Sequence, residues 1–135
     1  MEREIGYKVV RVVPIDDAGG VKLMSYTTFN LIADPDFDGL EYGIGIETRP
    51  REGDGPVACL ATKRHVKKFF ANEGLSPRFE RSNFRVYKCK FIRDTTSAWM
   101  LWIKTNEHAM TFPLSACPHG TILCDMIELT EEVEI

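Results

Sequence analysis

"VACLATKRHVKKFFANEG", residues 57–74, changes its hydrophobic period part-way along. The opening "VACLA" (57–61) is a short apolar run bounded by polar residues, the pattern of a buried strand. From Thr62 onward the period becomes helical: Val66, Phe69 and Phe70 fall at i, i+3 and i+4 and share one face. Thr62 supplies an N-cap oxygen, and Gly74 stands where a helix beginning there and running to about Asn72 would stop. One apolar stripe on one helix must be buried against something. The rest of the chain offers only strands to bury it.

Those strands are legible from alternation and turn residues. "IGYKVVRVVPI" (5–15) and "VKLMSYTTF" (21–29) are β-branched and aromatic runs joined by "DDAGG" (16–20), which predicts a hairpin. "LEYGIGIET" (40–48) puts Leu40, Tyr42, Ile44 and Ile46 on one face; Gly43 and Gly45 leave room on the other for a bulge or a close backbone contact. "RPREGDGP" (49–56) is a polar loop. "SNFRVYKCKFI" (82–92) alternates Phe84, Val86 and Cys89 with basic residues, and "SAWMLWIK" (97–104) with "HAMTFPL" (108–114) predicts a second hairpin around Asn106. "GTILCDMIEL" (120–129) is the last strand, with "TEEVEI" expected as a frayed acidic tail. The expected architecture is α+β: one compact domain over 1–135, a curved, mostly antiparallel sheet with one main helix packed on it.

Composition is that of an ordinary globular chain, with 44% hydrophobic and 27% charged residues in 135. No apolar run approaches the roughly 20 residues that span a bilayer, and the N-terminus carries no apolar signal core, so no membrane partner is expected. Cys59, Cys89, Cys117 and Cys124 lie scattered in apolar segments, which predicts free thiols and a cytoplasmic setting. Charge is distributed unevenly. Residues 62–93 hold ten Lys and Arg against Glu73 and Glu80, a balance of +8, so a net charge of −3 leaves −11 for the remainder. A positive face of this kind can recruit an anion, and the candidate contacts are Lys63, Arg64, Lys67 and Lys68 on the helix with Arg85 and Lys88 on the following strand. The plainer reading is a solvated lysine surface. The acidic remainder argues against broad nucleic-acid binding and for a protein or small anionic ligand.

Metal and nucleophile motifs are incomplete. "DPDFDG" (34–39) begins like a calcium loop with Asp34, Asp36 and Asp38, but the position that needs a bidentate glutamate is Gly45. The segment reads as a turn entering a strand, with no calcium required. "CPHGTILC" brings Cys117, His119 and Cys124 close in sequence without the paired spacing of a zinc site. Cys59 and His65 could meet as nucleophile and base across the strand-to-helix turn, and a structural role for both is the simpler expectation. No cofactor is expected.

Two resemblances bear on function. Arg11 within "YKVVRVV", "TTS" (95–97) and "EVE" (132–134) resemble, in that order, the arginine–serine–glutamate ADP-ribosyltransferases. The resemblance implies NAD-phosphate binding by Arg11, a nicotinamide pocket shaped by Ser97 and acceptor activation by Glu134. The second covers more of the chain. Tyr7–Val10, Tyr42–Gly45, "RPREGDGP", "CLATKRHVKKFF", "VYKCKF" and "CPHGTILCDMIEL" together resemble small uncharacterised proteins of phages and prokaryotes. That likeness implies a shared fold, a mobile-element origin and, for a phage-encoded chain, action in the host cytoplasm; it implies no reaction. The expected function is a non-enzymatic binding or accessory protein acting on a host protein or a small anionic ligand, with the NAD-using enzyme as the alternative.

Overall fold

The computed structural model describes residues 2–14, 18–25, 40–50, 56–72, 84–94, 100–104, 109–113, 117 and 119–134. Within them the chain is mostly antiparallel β-sheet with one α-helix. β1 (Glu4–Pro14) and β2 (Val21–Ser25) form the first hairpin, registered with Val10 opposite Ser25 and Pro14 opposite Val21. Its turn includes Gly19 at φ 88°, a left-handed conformation that glycine adopts without a Cβ penalty. β3 (Glu41–Tyr42) pairs with β2, and β4 (Glu47–Thr48) pairs with the last strand, β9 (Thr121–Val133). β5 (Val57–Leu60) leads into α1 (Lys63–Asn72), and β6 (Phe84–Arg93) follows. β7 (Met100–Lys104) and β8 (Ala109–Pro113) make the expected second hairpin, as a separate two-stranded sheet.

The pairings close on themselves. β6 lies between β1 and β9, with Val9 opposite Val86 and Phe91 opposite Ile127. β5 also lies between β1 and β9, through the pair Tyr7–Leu60 on one side and four pairs from Val57–Cys124 to Leu60–Thr121 on the other. The ring β1–β6–β9–β5 therefore returns to its start, and closure of this kind is how a short-stranded sheet removes exposed edges. Two register shifts in the β6–β9 pairing, which leave Thr130 and Asp125 of β9 without an opposite residue, supply the local bending that a tight ring requires. Gly6 lies where β1 passes over β5: a Cβ there would stand 3.0 Å from the Leu60 carbonyl and 3.1 Å from Cys59 Sγ.

Closure creates two buried clusters. Inside the ring lie Val10, Tyr42, Tyr87, Phe91, Ile127 and Leu129, among others. Between the outer wall and α1 lie Val9, Leu60, Val66, Phe69 and Val86. β1 and β6 are thus buried on both faces, Val9 and Val86 outward, Val10 and Tyr87 inward. Burying Val66 and Phe69, at 0% and 3% exposure, stabilises the helix docking by about 1.5–3 kcal/mol each.

Two expectations need correction. "LEYGIGIET" is not one alternating strand: it breaks after Tyr42 and resumes at Glu47, leaving Ile44 57% and Ile46 62% exposed. The cause is a turn in which the Ile46 amide donates to the Gly43 carbonyl and Gly45 takes φ 76°. The "TEEV" part of "TEEVEI" is not a frayed tail either, because β9 continues to Val133, which sits opposite Val86 and packs against the helix-side cluster. Leucine-poor and acidic, the segment is held by its partner strand rather than by its own composition.

Candidate functional site

The exposed face of α1 follows from its buried one. With Val66 and Phe69 turned to the sheet, Lys63, Arg64, Lys67 and Lys68 all lie exposed on the opposite side. Thr62 caps the helix as the sequence predicts, its Oγ1 accepting from the His65 amide at 3.2 Å. Two of the four cations, Lys63 and Arg64, occupy the first turn, which contains no acid. The helix dipole places partial positive charge there, so these side chains oppose helix stability instead of supporting it. Among the described residues, none of the four has a carboxylate within ion-pair distance.

The strand half of the basic segment is arranged differently. β9 runs antiparallel to β6 and sets acids against its bases: Lys88 faces Glu131 and Lys90 faces Glu128. Lys88 Nζ lies 4.0 Å from Glu131, and Arg85 Nε lies 3.9 Å from Glu132. Arg93 donates two hydrogen bonds to Glu4, at 3.0 and 3.2 Å, and holds that carboxyl below its ordinary pKa. Exposed pairs at such distances add little stability, but they cancel the field that Arg85 and Lys88 would project. Position along the sequence grouped six cations together; the sheet divides them into four open and two faced by carboxylates.

The chain matches no family model, no curated protein and no solved structure.

The remaining candidates separate. Asp34, Asp36 and Asp38 lie outside the described residues, as does Ser97. Arg11 is on β1 opposite Phe84, and Val133, the neighbour of Glu134, is opposite Val86 on the other side of β6. Arg11 and the exposed Glu134 therefore lie at the same end of the sheet, two strand spacings or roughly 9–10 Å apart across it. The Arg11 Nε is buried and finds no hydrogen-bond partner. Cys117, His119 and Cys124 do not form a group: Cys124 is fully buried within the ring, whereas His119 is exposed with its ring 5.2 Å from that of His65. His65 in turn bonds Thr62 Oγ1 through Nδ1 at 2.9 Å, and Cys59 points into the ring beside Cys124, so the Cys59–His65 pairing is not formed. Among the described residues no three His, Cys, Asp or Glu side chains could hold a metal ion, and no helix is long and apolar enough to cross a membrane.

One group was missed. Lys8 is 6% exposed and points into the ring, its Nζ donating to the Ala58 carbonyl at 2.6 Å and standing 5.2 Å from the centre of the Tyr42 ring. Burial lowers its pKa, because removing an ammonium from water disfavours the charged form. A signal was present. It was partial: alternation along "GYKVV" puts Lys8 on the same face as Val10, but only ring closure makes that face interior.

Proposed function

We propose that this chain is a non-enzymatic binding module that seats an acidic segment of a protein partner on the exposed face of α1. The reading is supported by one contrast. Among the described residues, Arg85, Lys88 and Arg93 of β6 are matched by carboxylates, while the cations of α1 are unmatched and include two in a first turn where they oppose the helix dipole. Charge kept where it does not help folding is best explained by a ligand. A segment rich in Asp and Glu suits the four side chains, and in the phage setting implied by the resemblance the partner is a host protein. A second reading, ADP-ribosyl transfer, draws on the partnerless Nε of Arg11 at the sheet end it shares with Glu134. Fluorescent NAD titrated into the protein tests that alternative directly.

The test of the main reading is double reversal, Lys63→Glu with Arg64→Glu, titrated with a synthetic Asp/Glu-rich peptide at several salt concentrations. Binding to the unaltered protein should weaken steeply with salt and fall at least tenfold in the variant. The same variant should be more stable by about 0.3–1 kcal/mol per reversed charge, since acids in a first turn complement the dipole. A variant that binds as well as the parent, or a parent that prefers single-stranded RNA or duplex DNA to the peptide, overturns the reading.

A further inference from the structure

The interior of the ring holds chemistry that the proposed binding face does not use. Cys59 on β5 and Cys124 on β9, 3% and 0% exposed, point at each other with their sulfurs 3.6 Å apart. Cys89 on β6 and the Lys8 amine share the same space. All three thiols are free. We propose that Cys59 and Cys124 form an oxidation site that closes to a reversible disulfide across β5 and β9 when the protein meets a peroxide.

The register defines both how the bond can form and why it can be undone. Val57 is opposite Cys124 and Cys59 is opposite Ile122, so the two cysteines are diagonal neighbours on adjacent antiparallel strands. Diagonal Cα atoms in a sheet stand about 7–8 Å apart, slightly beyond the roughly 6.8 Å upper limit of ordinary disulfides. Closing the bond therefore needs a small local shear of β5 along β9, and a bond made against such resistance is readily reduced. Access comes from the weakest seam of the ring. β5 pairs with β9 through four residue pairs but with β1 through the single pair Tyr7–Leu60, beside the Lys8–Ala58 hydrogen bond, and Cys59 is the residue next to that pair. At this seam Gly6 contributes no side chain, and a Cβ there would stand 3.1 Å from Cys59 Sγ. Local opening there admits a molecule the size of peroxide without unfolding the sheet.

The reaction balances with hydrogen peroxide as the oxidant. One sulfur attacks a peroxide oxygen, breaking the O–O bond and leaving a sulfenic acid and one water. The second sulfur displaces the sulfenic hydroxyl, which departs with the remaining thiol proton as a second water. Two thiols are oxidised to one disulfide, and one peroxide is reduced to two waters. Cys59 is the natural second sulfur: hydrogen bonding to its two neighbours holds its proton tightly, with a pKa well above the ordinary thiol range.

The experiment uses the full chain carrying Cys117→Ser, which removes the one thiol outside the ring. Native protein is treated with hydrogen peroxide, quenched, unfolded without reductant, alkylated and weighed. Three adducts are expected before treatment and one after, with three restored by dithiothreitol. Cleavage after Leu123 should yield a single linked pair of peptides, containing Cys59 and Cys124. The same peptide map of the unaltered chain gives the answer if the Cys117→Ser variant does not fold. Retention of three adducts at peroxide levels that already convert methionine to its sulfoxide overturns the proposal. So does a crosslink that includes Cys89.

Discussion

Replacing Lys8 with methionine should stabilise this protein. The side chain lies inside the ring, its three-donor head group is given one acceptor, the Ala58 carbonyl, and its nearest aromatic face is Tyr42. Methionine keeps the unbranched stem and its packing while removing the amine. Burial of an incompletely satisfied polar group costs about 1–3 kcal/mol in proteins, and the lost hydrogen bond returns about 1 kcal/mol of that. The net gain is about 0–2 kcal/mol, a rise of up to several degrees in Tm for a chain of this size. The pH dependence has a definite sign. Lys8 is a base whose folded pKa lies below its ordinary value of 10.5, so between those two values the unfolded chain binds more protons than the folded one. Stability from this group therefore rises with pH across that interval, and the penalty is greatest below it. The advantage of Lys8→Met should accordingly shrink as pH climbs towards 10.5. Comparing variant with parent at each pH cancels the opposite trends of Tyr42 and Cys59, whose raised pKa values cost stability at alkaline pH. Urea melts at several pH values provide the measurement. A variant less stable than the parent by 1 kcal/mol or more, or an advantage that does not change with pH, would refute the reasoning.

Tyr42→Phe removes a hydroxyl that is buried without a partner, so stability should hold or improve by about 1 kcal/mol; a loss of similar size in urea melts would show that the hydroxyl is bonded after all. Gly120→Ala should destabilise by about 1–3 kcal/mol, because the glycine has φ 87° and the new Cβ would collide with the His65 ring. Thermal melts of this variant that match the parent would mean that the His65 and Gly120 segments are not packed together.

The helix and most strands were legible because each rests on a local signal. Thr62 caps, Val66 and Phe69 repeat at helical spacing, and the β1–β2 hairpin is flanked by alternating residues. What failed was anything decided by a partner distant in sequence. "TEEVEI" looks unfolded by itself, and its "TEEV" part becomes strand only because β6 offers Lys88 opposite Glu131 and Val86 opposite Val133. Ile44 and Ile46 look like core and are exposed by a turn whose Gly45 amide donates to the distant Leu129 carbonyl. Lys8 looks like a surface residue within an apolar run, and it becomes interior because both faces of β1 are covered once the ring closes. The cysteines gave no sign of meeting: 65 positions separate Cys59 from Cys124, and only the β5–β9 register brings them together.

The same dependence on pairing changes what the charge distribution means. Taken along the chain, +8 over residues 62–93 and −11 elsewhere describe two opposed blocks. In the fold the blocks interleave. Glu4 answers Arg93, Glu131 and Glu132 answer Lys88 and Arg85, and Arg3 reaches both Glu47 and Glu128. Beyond about 10 Å, the screening length near physiological salt, such pairs present almost no net field to an approaching partner. The four cations of α1 escape this cancellation among the described residues, because the helix docks on β1 and β5 through its apolar face and turns its cations away from them. An electrostatic partner would therefore be steered to a patch of one helix face, under two turns long from Lys63 to Lys68. That area suits a short acidic segment better than the extended backbone of a nucleic acid, which would run past the four cations onto a surface whose described charges are already paired.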